Sequence, residues 1–230
     1  MALKSKRNKE IGKVVDRDKV YTANEAIEIL KACPKVKFDQ SVEFSLNLNI
    51  DAKKHQVRGT ASLPHGTGKK QVVVVLTGGD KQEEAKKAGA DFVGAEDLVE
   101  KIKGGWLDFT TLIVSPDMMR DVGKLGKVLG PRNLMPSPKA GTVTNDIGKA
   151  VEEIKKGKIE FKLDKAGMIN TIIGKLPFET DKLVDNLKNL LGAISLNKPA
   201  SAKGAFFKSL VISSTMGPGL KIDLQSLNLG

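Results

Sequence analysis

A single cysteine, Cys33, excludes an internal disulfide and points to a reducing compartment. Histidine is nearly as scarce. His55 lies in a polar loop and His65 in a turn, and with one cysteine they cannot build a zinc site without several carboxylates, so neither a metal nor any other cofactor is expected. Aromatic residues make up only 4% of the chain, too few for a surface that grips single strands by stacking base after base. Long apolar runs are missing too. The longest, Val72 to Leu76, falls far below the ~20 residues that span a bilayer. The charged start from Lys4 to Lys9 has no apolar stretch behind it, so it is not a secretory signal, and Glu10, Asp16 and Asp18 come too early for a mitochondrial presequence. The expectation is a cytoplasmic protein with no membrane partner.

What the chain does carry is positive charge. Lys and Arg number 38 against 27 Asp and Glu, a net charge of +11 that attracts polyanions. With membrane the weaker choice, nucleic acid is the partner to weigh. The shortage of aromatics favours folded RNA, recognised by shape, backbone and sugar hydroxyls. At 230 residues, 40% hydrophobic and 28% charged, the chain is ordinary globular material, enough for one large domain or two modest ones.

Periodicity organises it into three pieces. Thr22 and Glu25 form a capping box ahead of the apolar residues Ala26, Ile27, Ile29 and Leu30, and Pro34 stops that helix. Val42, Phe44, Leu46, Leu48 and Ile50 alternate with polar residues as a strand with one dry face, and Val57 to Leu63 is expected to be its antiparallel partner. After Pro64-His65-Gly66-Thr67-Gly68 the character changes. Val72 to Leu76 shows no alternation, the habit of a parallel strand buried on both faces. Helices and strands then alternate to about Lys156, with a helix expected over Met118 to Val128 and a strand over Gly141 to Thr144, an α/β unit with right-handed crossovers. Beyond Gly157, Ile159 to Leu163 and Ile169 to Ile173 flank a turn at Gly167. A helix over Asp181 to Ser195 and strands near Ser209 to Ser213 and Leu220 to Leu224 complete the chain. The two outer pieces could form one α+β domain with the middle inserted; two consecutive domains fit the periodicity equally well. Residues 1–66 hold 13 basic and 8 acidic side chains, residues 159–230 hold 9 and 6, and the middle holds 16 and 13, so most of the basic excess sits in the outer pieces.

Motifs for catalysis are wanting. His65-Gly66-Thr67-Gly68-Lys69-Lys70 suggests a phosphate loop, but Leu63 stands where the first glycine belongs and Lys70 where the hydroxyl belongs, so it reads as a basic turn between domains. Gly123 to Gly130 is glycine-rich without the strand that a dinucleotide fingerprint needs; a loosely wound helix end and a basic loop are both open, the loop preferred. Cys33 has Lys31 and Lys35 nearby, which could lower its pKa, yet no histidine accompanies it and a small apolar role suits it better. Ser213-Ser214-Thr215 lacks a base. No catalytic residue is expected.

Three stretches remain as a binding surface. The N-terminal arm, with Lys4, Lys6, Arg7, Lys9 and Lys13, is either a set of phosphate contacts or a solvated charge run. Phe38, beside Lys37 and Asp39 at a strand entrance, is either core or a residue that packs against a ribose or base. Ser213 to Gly219 ends a strand in a turn whose hydroxyls suit a 2′-OH, whose glycines admit close backbone approach, and whose Met216 offers adaptable apolar surface.

These residues carry a resemblance. Lys37-Phe38-Asp39-Gln40-Ser41-Val42-Glu43, the segment Val57 to Gly66, Ala88-Gly89-Ala90-Asp91, Leu129-Gly130-Pro131-Arg132, Pro138 to Val143 and Thr215-Met216-Gly217-Pro218 resemble the bacterial large-subunit ribosomal protein one family, colinearly and essentially from end to end. The resemblance implies a two-domain fold. A split α+β first domain, built from both termini (1–66 plus 159–230), would carry the main RNA site. An inserted Rossmann-like three-layer α/β domain would occupy 67–158. It implies a protein that is a monomer when free and binds large-subunit ribosomal RNA to form the mobile stalk. Such a protein would take part in releasing exit-site tRNA and repress its own operon by binding the messenger. Carried over by position, the RNA contacts would be Lys37, Phe38, Ser41, Asp164, Lys165, Thr215, Met216 and Gly217, with Lys6, Arg7 and Lys9 as auxiliary phosphate contacts. Asp164 would accept from a 2′-OH or a base amine. Ser41 stands where a threonine is common, the loop 51–56 is shorter than usual, and Asn133 replaces a frequent glycine. The alternative function is a non-specific basic nucleic-acid-binding protein.

Overall fold

The computed structural model describes residues 5–16, 18–51, 55–79, 81–199 and 204–227. Lys4 and the middle of the loop 51–56, both singled out above, lie outside the described residues. The chain divides into two compact units, residues 1–68 with 160–230, and residues 69–159. The architecture is mixed α/β.

In chain order the first unit opens with α1 (Lys6–Val14), β1 (Val20–Tyr21), α2 (Ala23–Ala32), β2 (Ser41–Leu48) and β3 (Arg58–Ser62). The stretch expected as a charged arm is therefore helical over α1. Ser5 caps it by accepting from the Asn8 N–H, and of the helix only Ile11 is buried. The capping box of α2 forms in both directions: Thr22 Oγ1 accepts from the Glu25 N–H at 3.4 Å, and Glu25 Oε2 accepts from the Thr22 N–H at 3.0 Å. That hydrogen bond from the Thr22 backbone holds the Glu25 carboxyl below its ordinary pKa.

The second unit follows with β4 (Val73–Leu76), α3 (Lys81–Lys87), β5 (Phe92–Gly94), α4 (Glu96–Lys103), β6 (Thr111–Val114), α5 (Met119–Lys124), α6 (Gly126–Leu129) and α7 (Ile147–Lys155). Its sheet has the order β5-β4-β6, and β4 runs parallel to both neighbours. The unbroken valine run finds its reason here. Val73 and Val75 join a core with Ala85 of α3 and Ile147, Val151 and Ile154 of α7. Val74 and Leu76 join a second core with Leu98 and Ile102 of α4 and Val122 and Leu129 of α5 and α6. A central strand feeding two cores needs apolar side chains on both faces.

Two expectations fail in this unit. Gly123 to Gly130 is helical, in α5 and α6, rather than a basic loop, and the expected single helix breaks at Leu125. Gly141 to Thr144 makes only a bridge, Val143 to Val114. Asn133 has φ 55° and is the one non-glycine with positive φ among the described residues, a left-handed conformation that asparagine tolerates better than most.

The chain returns to the first unit through β7 (Lys158–Lys162), β8 (Met168–Lys175), α8 (Thr180–Leu196), β9 (Phe207–Ser214) and β10 (Gly219–Ile222). The main sheet has the order β1-β10-β9-β2-β8, antiparallel except for the β1–β10 pair. The expected β2–β3 hairpin does not form. Strand β3 pairs with β7 in a separate two-stranded sheet and packs against α8. Gly59 makes this possible, because a Cβ there would lie 2.8 Å from Phe161 Cζ and 3.0 Å from Asn197 Nδ2.

Helices α2 and α8 pack against each other and on one face of the main sheet. Phe44, Leu46, Leu210, Ile212, Leu220 and Ile222 point to that face and are buried. The other face carries Glu43, Ser45 and Asn47 of β2 opposite Ser213, Val211 and Ser209 of β9, with Asn170 of β8 beside Ser45 and Lys221 of β10 beside Val211; none of these is buried. The period of two thus leaves a face of small hydroxyl and amide side chains uncovered by these helices.

Candidate functional site

At the Ser41 end of the main sheet, β2 and β9 are locked together across 174 positions of sequence. The Ser41 N–H donates to Thr215 Oγ1 at 3.0 Å, and the Ser41 carbonyl accepts from the Thr215 N–H at 3.1 Å. Gln40, 5% exposed, accepts at Oε1 from the Met216 N–H at 3.0 Å. The Gly217 N–H closes the turn onto the Ser214 carbonyl at 2.8 Å. A Cβ on Gly217 would lie 2.1 Å from Ser214 Oγ, so the turn is as tight as a side-chain-free residue allows. Ser214 is 3% exposed, and its hydroxyl has no hydrogen-bond partner among the described residues.

This scaffold presents Met216 outward. Met216 is 55% exposed and Phe38, two residues before Gln40, is 53% exposed. Exposure decides the question left open at Phe38: it is not core. Lys31, Lys35, Asp39, Leu176 and Pro177 share a shallow recess with it. Lys37 is exposed, Lys31 donates to Thr180 Oγ1 at 3.1 Å, and Lys175 donates to the Asp39 carbonyl at 3.1 Å. Met216 is held in water by the buried Gln40, and Phe38 is held in water with Lys31 and Lys35 beside it, features that suit a polyanion with flat apolar parts.

Ser41, Thr215, Met216 and Gly217 are therefore brought together, with Lys37 and Phe38 on the adjoining segment. Asp164 and Lys165 are not. They occupy the turn between β7 and β8, beside the Leu48 end of β2, where the Leu48 N–H donates to the Gly167 carbonyl at 3.0 Å. Strand β2 has eight residues, which at a rise of roughly 3.3 Å sets the two clusters on the order of 20 Å apart. Asp164 is already engaged: Oδ1 accepts from the Ala166 and Met168 N–H groups at 2.8 and 2.9 Å, shaping a turn in which Gly167 has φ 81°. Lys165 is exposed. The uncovered face of Ser45, Asn47, Asn170, Ser209 and Ser213 lies between the clusters.

The remaining expected contacts fall on α1. Lys6 and Lys9 are exposed, whereas Arg7 is half-buried, with Nε and Nη2 buried and without hydrogen-bond partners among the described residues. Its charge acts on Cys33, which is buried; burial pushes that thiol up, and Arg7 only partly offsets the shift. Cys33 is thus not an activated nucleophile. Among the described residues no group of three or more His, Cys, Asp and Glu side chains could hold a metal ion, and no helix is long and apolar enough to cross a membrane.

Sequence reasoning missed two supports. Gln40 holds the Met216 turn. Asn186, fully buried on α8, accepts at Oδ1 from the His65 N–H at 3.1 Å and donates from Nδ2 to the carbonyls of Gly66 and Ile173 at 3.0 and 2.8 Å. A polar residue inside the apolar stripe of Leu183, Leu187 and Leu190 is the one sign that could have marked Asn186.

The model of the family described as "Ribosomal protein L1p/L10e family" matches residues 29–218. The large ribosomal subunit protein uL1 of Protochlamydia amoebophila (strain UWE25) is 59% identical over 231 residues, covering 100% of this chain and 98% of that protein. The protein of the same name from Chlamydia caviae is 55% identical, and that from Kosmotoga olearia 53%, each over 229 residues with 99% of both chains covered.

Proposed function

Since the chain belongs to the Ribosomal protein L1p/L10e family, we propose that it is a structural, non-catalytic protein of the large subunit of the cytoplasmic ribosome that binds large-subunit ribosomal RNA through its first unit. On this reading it forms the mobile stalk, takes part in releasing exit-site tRNA, and represses its own operon by binding a similar site on the messenger. The free protein is a monomer. Residues 67–158 act as an inserted Rossmann-like domain.

One observation carries the proposal: among the described residues, the two exposed large apolar side chains at the Ser41 end, Phe38 and Met216, stand on a framework joining the two ends of the chain. The Thr215-Met216-Gly217 turn and Phe38 fit the sugar edge and backbone of a folded RNA. Lys37 meets phosphate, and Lys6, Arg7 and Lys9 supply auxiliary charge. An RNA lying along the uncovered sheet face reaches Asp164 and Lys165 at the far end, where the free lone pairs of the carboxylate accept from a 2′-OH or amine. If roughly four to six phosphates are neutralised, affinity falls on the order of tenfold to a thousandfold between ~50 and ~200 mM salt.

A footprint of the protein on total ribosomal RNA, repeated with excess duplex DNA, tests the reading. A single protected region that survives the competitor is the expected result. Protection scattered over the RNA and abolished by the DNA would instead indicate a non-specific basic coat.

A further inference from the structure

Aromatic side chains are scarce in this chain, yet three of them meet in the 69–159 unit. Phe92 lies on β5, an edge strand paired only with β4, and is 44% exposed. Trp106, the sole tryptophan, meets Phe92 with ring centroids 4.9 Å apart and planes at 79°. Phe109, 6% exposed, packs against Trp106 at 5.6 Å, so the indole is braced by the core. Gly104 and Gly105 end α4, Gly105 with φ 97°, and leave no side chain across the opening. Phe92, Leu98, Lys101, Gly104 and Trp106 together line an open recess. Its one charged lining residue is a cation, and Lys101 makes no ion pair among the described residues.

Two aromatic walls nearly at right angles accept a flat ring stacked on one and edge-on to the other. An ammonium that makes no ion pair among the described residues can donate to a phosphate oxygen at the rim. An apolar peptide anchor would fill the walls and leave that ammonium unanswered; a nucleotide satisfies both. We propose that this recess is a second nucleotide site, which stacks one unpaired RNA base against Phe92 and Trp106 while Lys101 contacts its phosphate. Low aromatic content excludes serial stacking along a strand but not a single-base clamp. The site rests on RNA being the partner of the chain, but not on the Phe38–Met216 surface.

Trp106 is its own reporter. The emission of the full chain is followed at low salt while a short oligoadenylate is added, with stalk-RNA binding measured in parallel. Saturable quenching is expected. It should weaken roughly tenfold in Phe92→Ala and in Lys101→Glu, in line with the contribution of one stacked base, and stay unchanged in Met216→Asp. Lys101 is exposed, so its variant leaves the core intact. Absence of quenching in a chain that still selects the stalk RNA overturns this site alone. Quenching that survives both substitutions, or that disappears in Met216→Asp, overturns it as well. Loss of selectivity for the stalk RNA with quenching retained counts against the first-unit site and leaves this one standing.

Discussion

Replacing Gly217 by alanine tests the turn that presents Met216. The added methyl would sit 2.1 Å from Ser214 Oγ and 3.3 Å from Ser214 Cβ, with Leu30 Cδ2 at 3.6 Å. The serine must swing its hydroxyl to another rotamer inside a site that is 3% exposed. Overpacking of this kind costs about 1–2 kcal/mol, nearer the low end because one short side chain absorbs the movement. Ser214→Ala removes the obstructing oxygen. Because that hydroxyl has no partner among the described residues, its loss should be neutral or stabilising by up to ~1 kcal/mol. The double variant should therefore recover most of the loss, a coupling of about 1–2 kcal/mol between residues in contact. Urea unfolding of the four proteins gives the stability cycle, and filter binding of the stalk RNA should show affinity falling in Gly217→Ala and returning in the double variant. Strict additivity, within about 0.5 kcal/mol, would refute the clash on which the reasoning stands.

Three further outcomes follow from other parts of the first unit. Met216→Asp should weaken RNA binding far more than Lys9→Ala, since it would set a carboxylate against phosphate at the centre of the contact; equal losses by filter binding would contradict a central turn. Asn186→Leu should destabilise by about 2–4 kcal/mol in thermal unfolding, because it strips partners from the His65 N–H and the carbonyls of Gly66 and Ile173; an unchanged midpoint would mean that those groups find water. The folded-state pKa of Glu25 is lowered, so the ionised carboxylate stabilises α2 above the ordinary glutamate range, and this is lost as pH falls through the lowered value. The stability gap between the parent and Glu25→Gln should be open at neutral pH and close on acidification, and a gap that widens in acid would reverse the sign of the argument.

Local order was legible where a pattern is self-contained. The alternation of Val42 to Ile50 identifies β2, the unbroken Val72 to Leu76 run identifies a strand buried on both faces, and Thr22 with Glu25 marks the start of α2. Partner choice was not legible. Val57 to Leu63 follows β2 in sequence but pairs with β7, because Gly59 admits Phe161, a residue 102 positions away. Helix α1 buries only Ile11, too little periodicity to announce itself. Within the candidate site, Phe38 read as core, the more frequent fate of a lone phenylalanine, or as a contact, until its exposure was known. Gln40 was invisible because its partner lies 176 positions on. Asp164 carried a signal that went unused: an aspartate three residues before a glycine is turn chemistry, and its Oδ1 shapes that turn.

The β1–β10 and β2–β9 pairings impose an order on synthesis. The 69–159 stretch is contiguous and holds all the strands of its own sheet, so it can fold while translation continues. Ser41 and Gln40, made early, wait for Thr215 and Met216, made nearly last. A product abandoned before that point has a finished second unit and an unfinished first. Truncated copies thus lack the Ser41–Thr215 and Gln40–Met216 bonds, and completion of the first unit is written into the strand order.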